Sequence, residues 1–473
     1  MKNISAQGLM DILKTNCKNF PDERKGNAIK YSMTDATLGA FSVFFTQSPS
    51  FLSYQKDMEK RLGRSNANTL FSLDTIPTDT QIRNILDLMD PNLLTPVFKS
   101  AFGKLKKTKL LHEFKTELGD GDRDGDRDES KDRGSSKDGS GSKNGDAGYL
   151  IALDGIEYFS SDKIHCKDCL TKTDKKKRIR YYHSTLTPVV VCPGKSEVIP
   201  LPPEYIIPQD GHKKQDCENM AAKRWLKKYG SDYSQLKTTI LGDDLYSRQP
   251  VIEEITNQGF HYILVCKPQS HKWTTDWIEA LEKKPADYLK PEDFLHKITT
   301  RRWNGKYHII SNYEYALDVP IKDGGLRANW IQLTQIREED GKQLYQNSFV
   351  TDHPVTDENA HLITEAGRTR WKVENENNNT LTTKGYHFKH NYGHGKKHLS
   401  TFLATLILIA YLFHTLLDLG CDLYQKLRKE VVVRKVFFNH IKTLTTFFNW
   451  ESWDQLFDFM WKKLNDLPAT APE

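Results

Sequence analysis

Cysteine is scarce in this chain: 7 among 473 residues, an odd number, scattered from end to end. A disulfide framework needs paired cysteines at close spacing, so none is expected. The opening Met1-Lys2-Asn3-Ile4 is not a secretory leader, and a reducing cytoplasm fits. A charge excess of one sign is also missing, since 68 Lys+Arg stand against 62 Asp+Glu for a net +6. Long apolar runs are limited to Leu399–Leu419, which is preceded by two lysines. That run is long enough to span a bilayer. It carries Thr401, Thr405, His414 and Thr415, however, and a buried core helix is expected there, with no membrane partner. Finally, Gly119 to Asp146 holds no large apolar residue. Such a stretch cannot bury enough surface to fold and reads as a linker. Asp120, Asp122, Asp124 and Gly125 resemble a calcium loop, but Lys131 stands where the closing glutamate belongs, and Glu129 comes two residues early.

The length suits two or three domains. Basic residues are concentrated locally. Lys163 to Arg180 holds eight basic residues against two acids, and Lys426 to Lys442 holds six against one. Basic stripes suit a phosphate backbone, though a solvated charged face reads the same way.

Residues 1–117 read as a helical bundle. A helix start is expected at Ile76-Pro77-Thr78-Asp79, followed by Ile82, Ile85, Leu86 and Met89 at helical spacing. From Tyr149 strands alternate with helices. Strands are expected over Tyr149–Leu153, within Arg180–Cys192, over Thr238–Gly242 and over Phe260–Cys266. Helices are expected over Asp216–Tyr229 and Gln249–Gln258. That alternation indicates an α/β layer. After Lys267 the pattern turns β-rich to residue 356, with an Asp-Gly hairpin at Asp340-Gly341. Helical character resumes near Asp357 and continues from Leu399 to the end. The organisation expected is thus 1–117 helical, 118–148 linker, 149–267 the first part of an α/β core, 268–356 a β-rich insertion, 357–420 its helical completion and 421–473 a C-terminal helical region.

Three acids stand out. Asp154 ends the run Tyr149-Leu150-Ile151-Ala152-Leu153, and Asp243 follows Thr239-Ile240-Leu241-Gly242. Glu374 lies in Arg370-Trp371-Lys372-Val373-Glu374, one helical turn after an arginine. Two strand-end aspartates and a helix glutamate are the carboxylates a two-metal phosphoryl-transfer site needs, with an arginine placed to grip phosphate. If the strand before Asp243 slips by one residue, Asp244 takes its place. Elsewhere Cys166-Lys167-Asp168-Cys169 is a C-x-x-C, with His183 and Cys192 downstream. These four are either a zinc set or free thiols on a loop.

In order and context these segments resemble bacterial insertion-sequence DDE transposases of the insertion-sequence-four-like group. The segments that carry the resemblance are Leu241-Gly242-Asp243-Asp244-Leu245-Tyr246-Ser247, Arg370-Trp371-Lys372-Val373-Glu374-Asn375 and Tyr386-His387-Phe388-Lys389-His390-Asn391-Tyr392-Gly393-His394-Gly395. The resemblance covers residues 149–420 well, and the helical N-terminus more loosely. It implies a ribonuclease-H-like α/β core with a β-rich insertion. It also implies Asp154, Asp243 and Glu374 as catalytic ligands of two Mg²⁺ (or Mn²⁺) ions, DNA cleavage with strand transfer, and a homodimer on paired element ends. Arg370 is expected on a DNA phosphate, Trp303 and Trp330 against an extruded base, and Tyr386 and His387 along the DNA ends. The family pattern has a tyrosine three residues before the arginine and a lysine seven after the glutamate. Here those positions are Gly367 and Leu381, and Lys384 is the lysine at hand. The rival readings are a nuclease that does not join strands and an inactive, DNA-binding descendant.

Overall fold

The computed structural model describes residues 4–25, 29–48, 50–59, 61–119, 147–208, 217–283 and 294–468. The expected linker and its calcium-like stretch lie almost wholly outside these residues. The flanks of that stretch meet: Thr116 and Gly148 exchange two backbone hydrogen bonds of 2.9 and 3.0 Å.

Thirteen strands are described. They are β1 (Tyr149–Ala152), β2 (Gly155–Ser161), β3 (Leu170–Thr173), β4 (Ile179–Leu186), β5 (Val189–Val191), β6 (Ile199–Pro200), β7 (Glu204–Ile206), β8 (Thr238–Gly242), β9 (His261–Val265), β10 (His296–Trp303), β11 (His308–Pro320), β12 (Arg327–Arg337) and β13 (Gln343–Thr351). Nine of them form one sheet in the order β10-β11-β12-β13-β9-β8-β1-β5-β6. Within it β1, β8 and β9 run parallel, and β5 lies antiparallel to β1. β1, β5 and β8 are buried along their whole length, as apolar runs covered on both faces should be. The remaining strands make a small sheet, β2-β4-β3, with β7 paired to β4.

The β-rich stretch after Lys267 extends the central sheet. Its last strand, β13, pairs antiparallel with β9, opposing Phe349 to Val265, so the central sheet simply continues outward. The Asp340-Gly341 turn closes the β12–β13 hairpin, with Gly341 at φ +67°. The stretch also contains a helix that the strand-like reading missed, Lys272–Lys283, whose buried Thr274, Ile278 and Leu281 recur at helical spacing.

The helical ends of the chain share one core. Helix Met33–Phe45 is buried almost throughout and lies against helix Leu399–Gly420. Phe41 meets Phe413 at 5.5 Å and Phe45 meets His414 at 4.5 Å between ring centroids. The Trp453 indole donates to the Leu70 carbonyl at 2.8 Å, and the Asn66 amide donates to the carbonyls of Thr445 and Phe448, each at 2.8 Å. Helix Leu399–Gly420, the one described helix apolar and long enough to cross a membrane, is 94% buried along its most apolar window. The described helices of segment 1–117 therefore share part of their buried face with the C-terminal helices. Its helix Asp79–Leu86 does begin as expected, with the Thr78 side chain accepting from the Gln81 N–H.

Candidate active site

Parallel pairing sets the two aspartates side by side. Ala152 of β1 stands opposite Leu241 of β8, and the Leu153 N–H donates to the Leu241 carbonyl at 2.9 Å. Two residues beyond that pair lie Asp154 and Asp243, at the carboxyl ends of adjacent parallel strands, where crevices of open α/β sheets form. Gly242 is needed just before the turn. A Cβ there would come within 2.8 Å of the Tyr246 ring, which folds back over it.

Asp243 and Asp244 part company after the strand. Asp244 is spent on the loop that follows β9. One of its oxygens accepts the Lys267 N–H at 2.7 Å, the other accepts the Ser270 hydroxyl, and His271 lies 3.4 Å away. Among the described residues Asp243 accepts the local Leu245 N–H, at 2.8 Å, and its charge acts on Asp154 and Glu218.

The third acid arrives on a helix that changes pitch. Helix Ala360–Thr369 passes into a π-helical turn over Val373–Asn378 and then a short helix, Asn379–Thr383. Such wide turns are rare and recur at functional sites. Arg370 is mostly covered and donates to the exposed Glu374 carboxylate at 2.7 Å. From the same turn Asn378 donates its amide to Asp154 Oδ2 at 2.6 Å, while its own oxygen accepts from Thr187 and Asn377 at 3.1 and 2.9 Å.

A fourth carboxyl group was not singled out in the sequence. Glu218 opens helix Glu218–Tyr233, accepts the Gly155 N–H at 3.1 Å and also accepts the Tyr246 hydroxyl. Its only sequence signal is an acid in a helix's first turn, which is ordinary. The electrostatics mark the cluster. Burial, then the carboxylates of Glu218 and Glu374, lift Asp154 to about 7 against the pull of Arg370, and Asp243 adds to the rise. Burial also raises Glu218, opposed by the Tyr246 hydrogen bond and helped by Asp243. An acid held this far above the ordinary range sits where negative charge is under-compensated. Asp154 thus feels Glu218, Glu374 and Asp243 together, although among the described residues these carboxylate oxygens do not close to the spacing of a single ion's ligands.

The remaining expected residues fall into two groups. Trp303 is 55% exposed at the end of β10, and Lys384 is exposed beyond the short helix. Trp330 is only 8% exposed, packed within the sheet, and cannot present its ring to a base. Tyr386 is also buried. Its hydroxyl bonds His414 Nδ1 at 2.7 Å and accepts from Arg434 at 3.0 Å, deep among the terminal helices, so it does not line a DNA path. His387 is half-buried in a left-handed conformation, φ +51°, as part of a turn. The alternative of a zinc set at Cys166, Cys169, His183 and Cys192 changes by one member. Cys166, Cys169 and His183 converge, but Cys192 lies apart beside Thr116 and Glu113, and His394 completes the group.

The two departures from the family pattern have packing reasons. At Gly367 a Cβ would come within 2.8 Å of Ile263 and 2.9 Å of Phe349, so the helix presses too closely on the sheet for a tyrosine. Leu381 is fully buried, so a lysine there could not reach solvent.

Sheet, helix and acid cluster define a mixed α/β protein with an acidic centre at the carboxyl edge of its parallel strands. The family model described as a transposase DDE domain matches residues 165–413, more than half of the chain, and the chain belongs to that family. It is thus a transposase in class, a protein that processes DNA, and the family generally uses divalent metal ions. Among curated proteins none matches this sequence.

Proposed function

We propose that this chain cuts DNA at the ends of its own element and joins the freed 3′ ends to a target. Asp154, Asp243 and Glu374 would be the catalytic ligands of two Mg²⁺ or Mn²⁺ ions. The observation that carries this reading is the register-matched pair Asp154 and Asp243, with the Arg370–Glu374 turn close enough to shift the protonation of Asp154. The strand order β6-β5-β1-β8-β9, antiparallel on one side of β1 and parallel on the other, supports a ribonuclease-H-like core.

Two bound divalent ions would activate the attacking oxygen and steady the leaving one. The chain's own residues do the rest. Asn378 and Glu218 hold the pocket's shape: Asn378 fixes the Asp154 carboxylate, and Glu218 ties Gly155 to Tyr246 behind it. Arg370 is near the surface and positive, suited to a DNA phosphate once Glu374 turns to a metal. Lys384 and Trp303 extend the contact surface, and the helical 1–117 region contributes end recognition. Assembly as a homodimer on paired ends completes the reading.

The test is a strand-transfer assay on cognate ends with Mg²⁺. Wild type should give joined product. Asp154→Ala, Asp243→Ala and Glu374→Ala should each abolish cleavage while end binding persists, because affinity comes mainly from phosphate contacts. Cleavage without joined product would identify a nuclease. Cleavage retained by any of the three variants would remove that residue from the centre.

A further inference from the structure

A second cluster of ligand-type side chains lies apart from the carboxylates. Cys166 and Cys169 bracket a tight turn before β3, His183 sits on β4, and His394 comes from the segment leading into helix Leu399–Gly420. The Cys166 and Cys169 sulfurs are 3.9 Å apart. His183 Nε2 is 3.6 Å from Cys166 Sγ and 3.4 Å from Cys169 Sγ. His394 Nε2 is 3.4 Å from Cys169 Sγ and 3.1 Å from His183 Nε2. All four ligand atoms lie within 4.8 Å of one another.

The five separations given match edges of a known polyhedron. With Zn–S near about 2.3 Å and Zn–N near about 2.0–2.1 Å, a tetrahedral site has edges of about 3.8 Å between sulfurs, about 3.5 Å between sulfur and nitrogen, and about 3.3 Å between nitrogens. Ordinary packing explains the cluster poorly. His394 Nδ1 lies 2.9 Å from the Gly395 carbonyl, which can only accept, so Nδ1 carries a proton and in the neutral ring Nε2 turns a lone pair inward. His183 Nε2 faces two sulfurs and that lone pair at once, and a single N–H can satisfy only one of them. Cys169, His183 and His394 are each at most 7% exposed, which leaves little water to help. The Cys166 N–H points at Cys169 Sγ at 3.4 Å, the backbone support a metal thiolate receives.

We propose that Cys166, Cys169, His183 and His394 bind one structural zinc ion. The S₂N₂ donor set and its closed, buried geometry suit Zn²⁺ and reject Mg²⁺, which the carboxylate centre would take. The ion joins parts of the chain that are far apart in sequence. It fastens the β2-β4-β3 sheet to the segment Tyr392–Lys397. That segment is also gripped by the N-terminal region: Arg83 donates to the Tyr392 carbonyl at 3.0 Å, and Asp87 accepts the N–H groups of Lys396, Lys397, His398 and Leu399 at 2.9–3.1 Å. The zinc thus pins the junction of three regions just ahead of the central buried helix.

The experiment uses the full-length chain purified without chelator in reducing buffer. Elemental analysis should find about one zinc per chain. Exchange with Co²⁺ should give the intense visible bands of a tetrahedral ion, with thiolate-to-cobalt charge transfer. Cys169→Ser and His394→Ala should each lower zinc content at least about tenfold, whereas Cys192→Ser should keep it. A folded wild-type chain without zinc, with both thiols free to react or joined as a disulfide, would overturn the proposal. So would full zinc content in Cys169→Ser. Wild-type metal content and the cobalt spectrum need no variant, so a misfolded mutant cannot hide the answer.

Discussion

Asp154 is the most strongly perturbed member of the carboxylate cluster. Its ordinary value is 3.8, and the folded environment lifts it to about 7. The folded chain therefore keeps a proton that the unfolded chain releases near about pH 4. This group favours folding fully below about pH 4, and that contribution is lost as pH climbs through 7. The metal-free protein should weaken over that window. A divalent cation needs the carboxylate form, so its affinity should rise over the same range. Asp154→Asn removes the charge without changing shape. In EDTA the variant should be more stable than wild type at pH 8 by about 1–3 kcal/mol, discounted for partial solvent screening. The gap should shrink towards pH 5. Denaturant melts at the two pH values measure it, and a gap that does not change with pH would mean that Asp154 titrates normally. Of the four carboxyl groups, Asp154 and Asp243 were legible in the sequence because each ends an apolar run, and Glu374 because an arginine stands one helical turn before it. Glu218 was not, because its proximity comes from how helix Glu218–Tyr233 lands on the loop after β1.

The π-helical turn is the element that joins helix to site. In a regular α-helix, residues four apart share a face. Here Arg370 reaches Glu374 and Asn378 reaches Asp154 through a widened turn. Asn378→Ala should leave the thermal midpoint nearly unchanged, since the side chain is only half-buried, but lower Mn²⁺ affinity or cleavage about 10–100-fold, as loss of a ligand-orienting hydrogen bond does. Calorimetric Mn²⁺ titration alongside a melt separates the two effects. Unchanged affinity with unchanged cleavage would mean that Asp154 needs no such support. Strand bounds such as Thr238–Gly242 were readable from five apolar or β-branched residues before an acid. The helix Lys272–Lys283 was not, because its short apolar stripe sits inside a long β-rich stretch. The partners that bury it lie on β11 and its following turn, where the Pro320 carbonyl accepts from Thr274 at 3.0 Å.

Across the molecule, the two helical ends stabilise each other. Produced alone, residues 1–117 would expose Phe41, Phe45 and Phe71, which now pack against Phe413, His414 and Trp453. That fragment should lack a cooperative thermal transition and bind a hydrophobic dye. A sharp melt of the isolated fragment would show a self-sufficient domain. In the full chain, Trp453→Ala should cost about 3–5 kcal/mol as a buried-aromatic deletion. Excising residues 120–146 is the opposite case. The flanks at Thr116 and Gly148 are already hydrogen-bonded, and Gly119 is held by the Asn359 amide at 2.9 Å. A short Gly/Ser bridge should keep the midpoint within a few degrees, since closing a shorter loop changes the free energy by only about 0.6 kcal/mol per halving. A large drop in the midpoint or in activity would assign that stretch a structural or regulatory task.

Local pattern determined what depends on near neighbours: apolar runs that become buried strands, the acids that end them, the Arg370–Glu374 spacing, the C-x-x-C turn and the buried fate of Leu399–Leu419. Contacts between residues hundreds apart required the folded chain. They include His394 in place of Cys192, Trp330 and Tyr386 withdrawn into the core, Glu218 added to the carboxylates, and a β-rich stretch absorbed into one sheet. The physical reason is the range of the forces involved. Hydrophobic periodicity and turn chemistry act over a few residues and are written along the chain. Which surfaces then cover one another is settled by packing, where a missing Cβ at Gly367 or an indole at Trp453 decides how closely two elements approach.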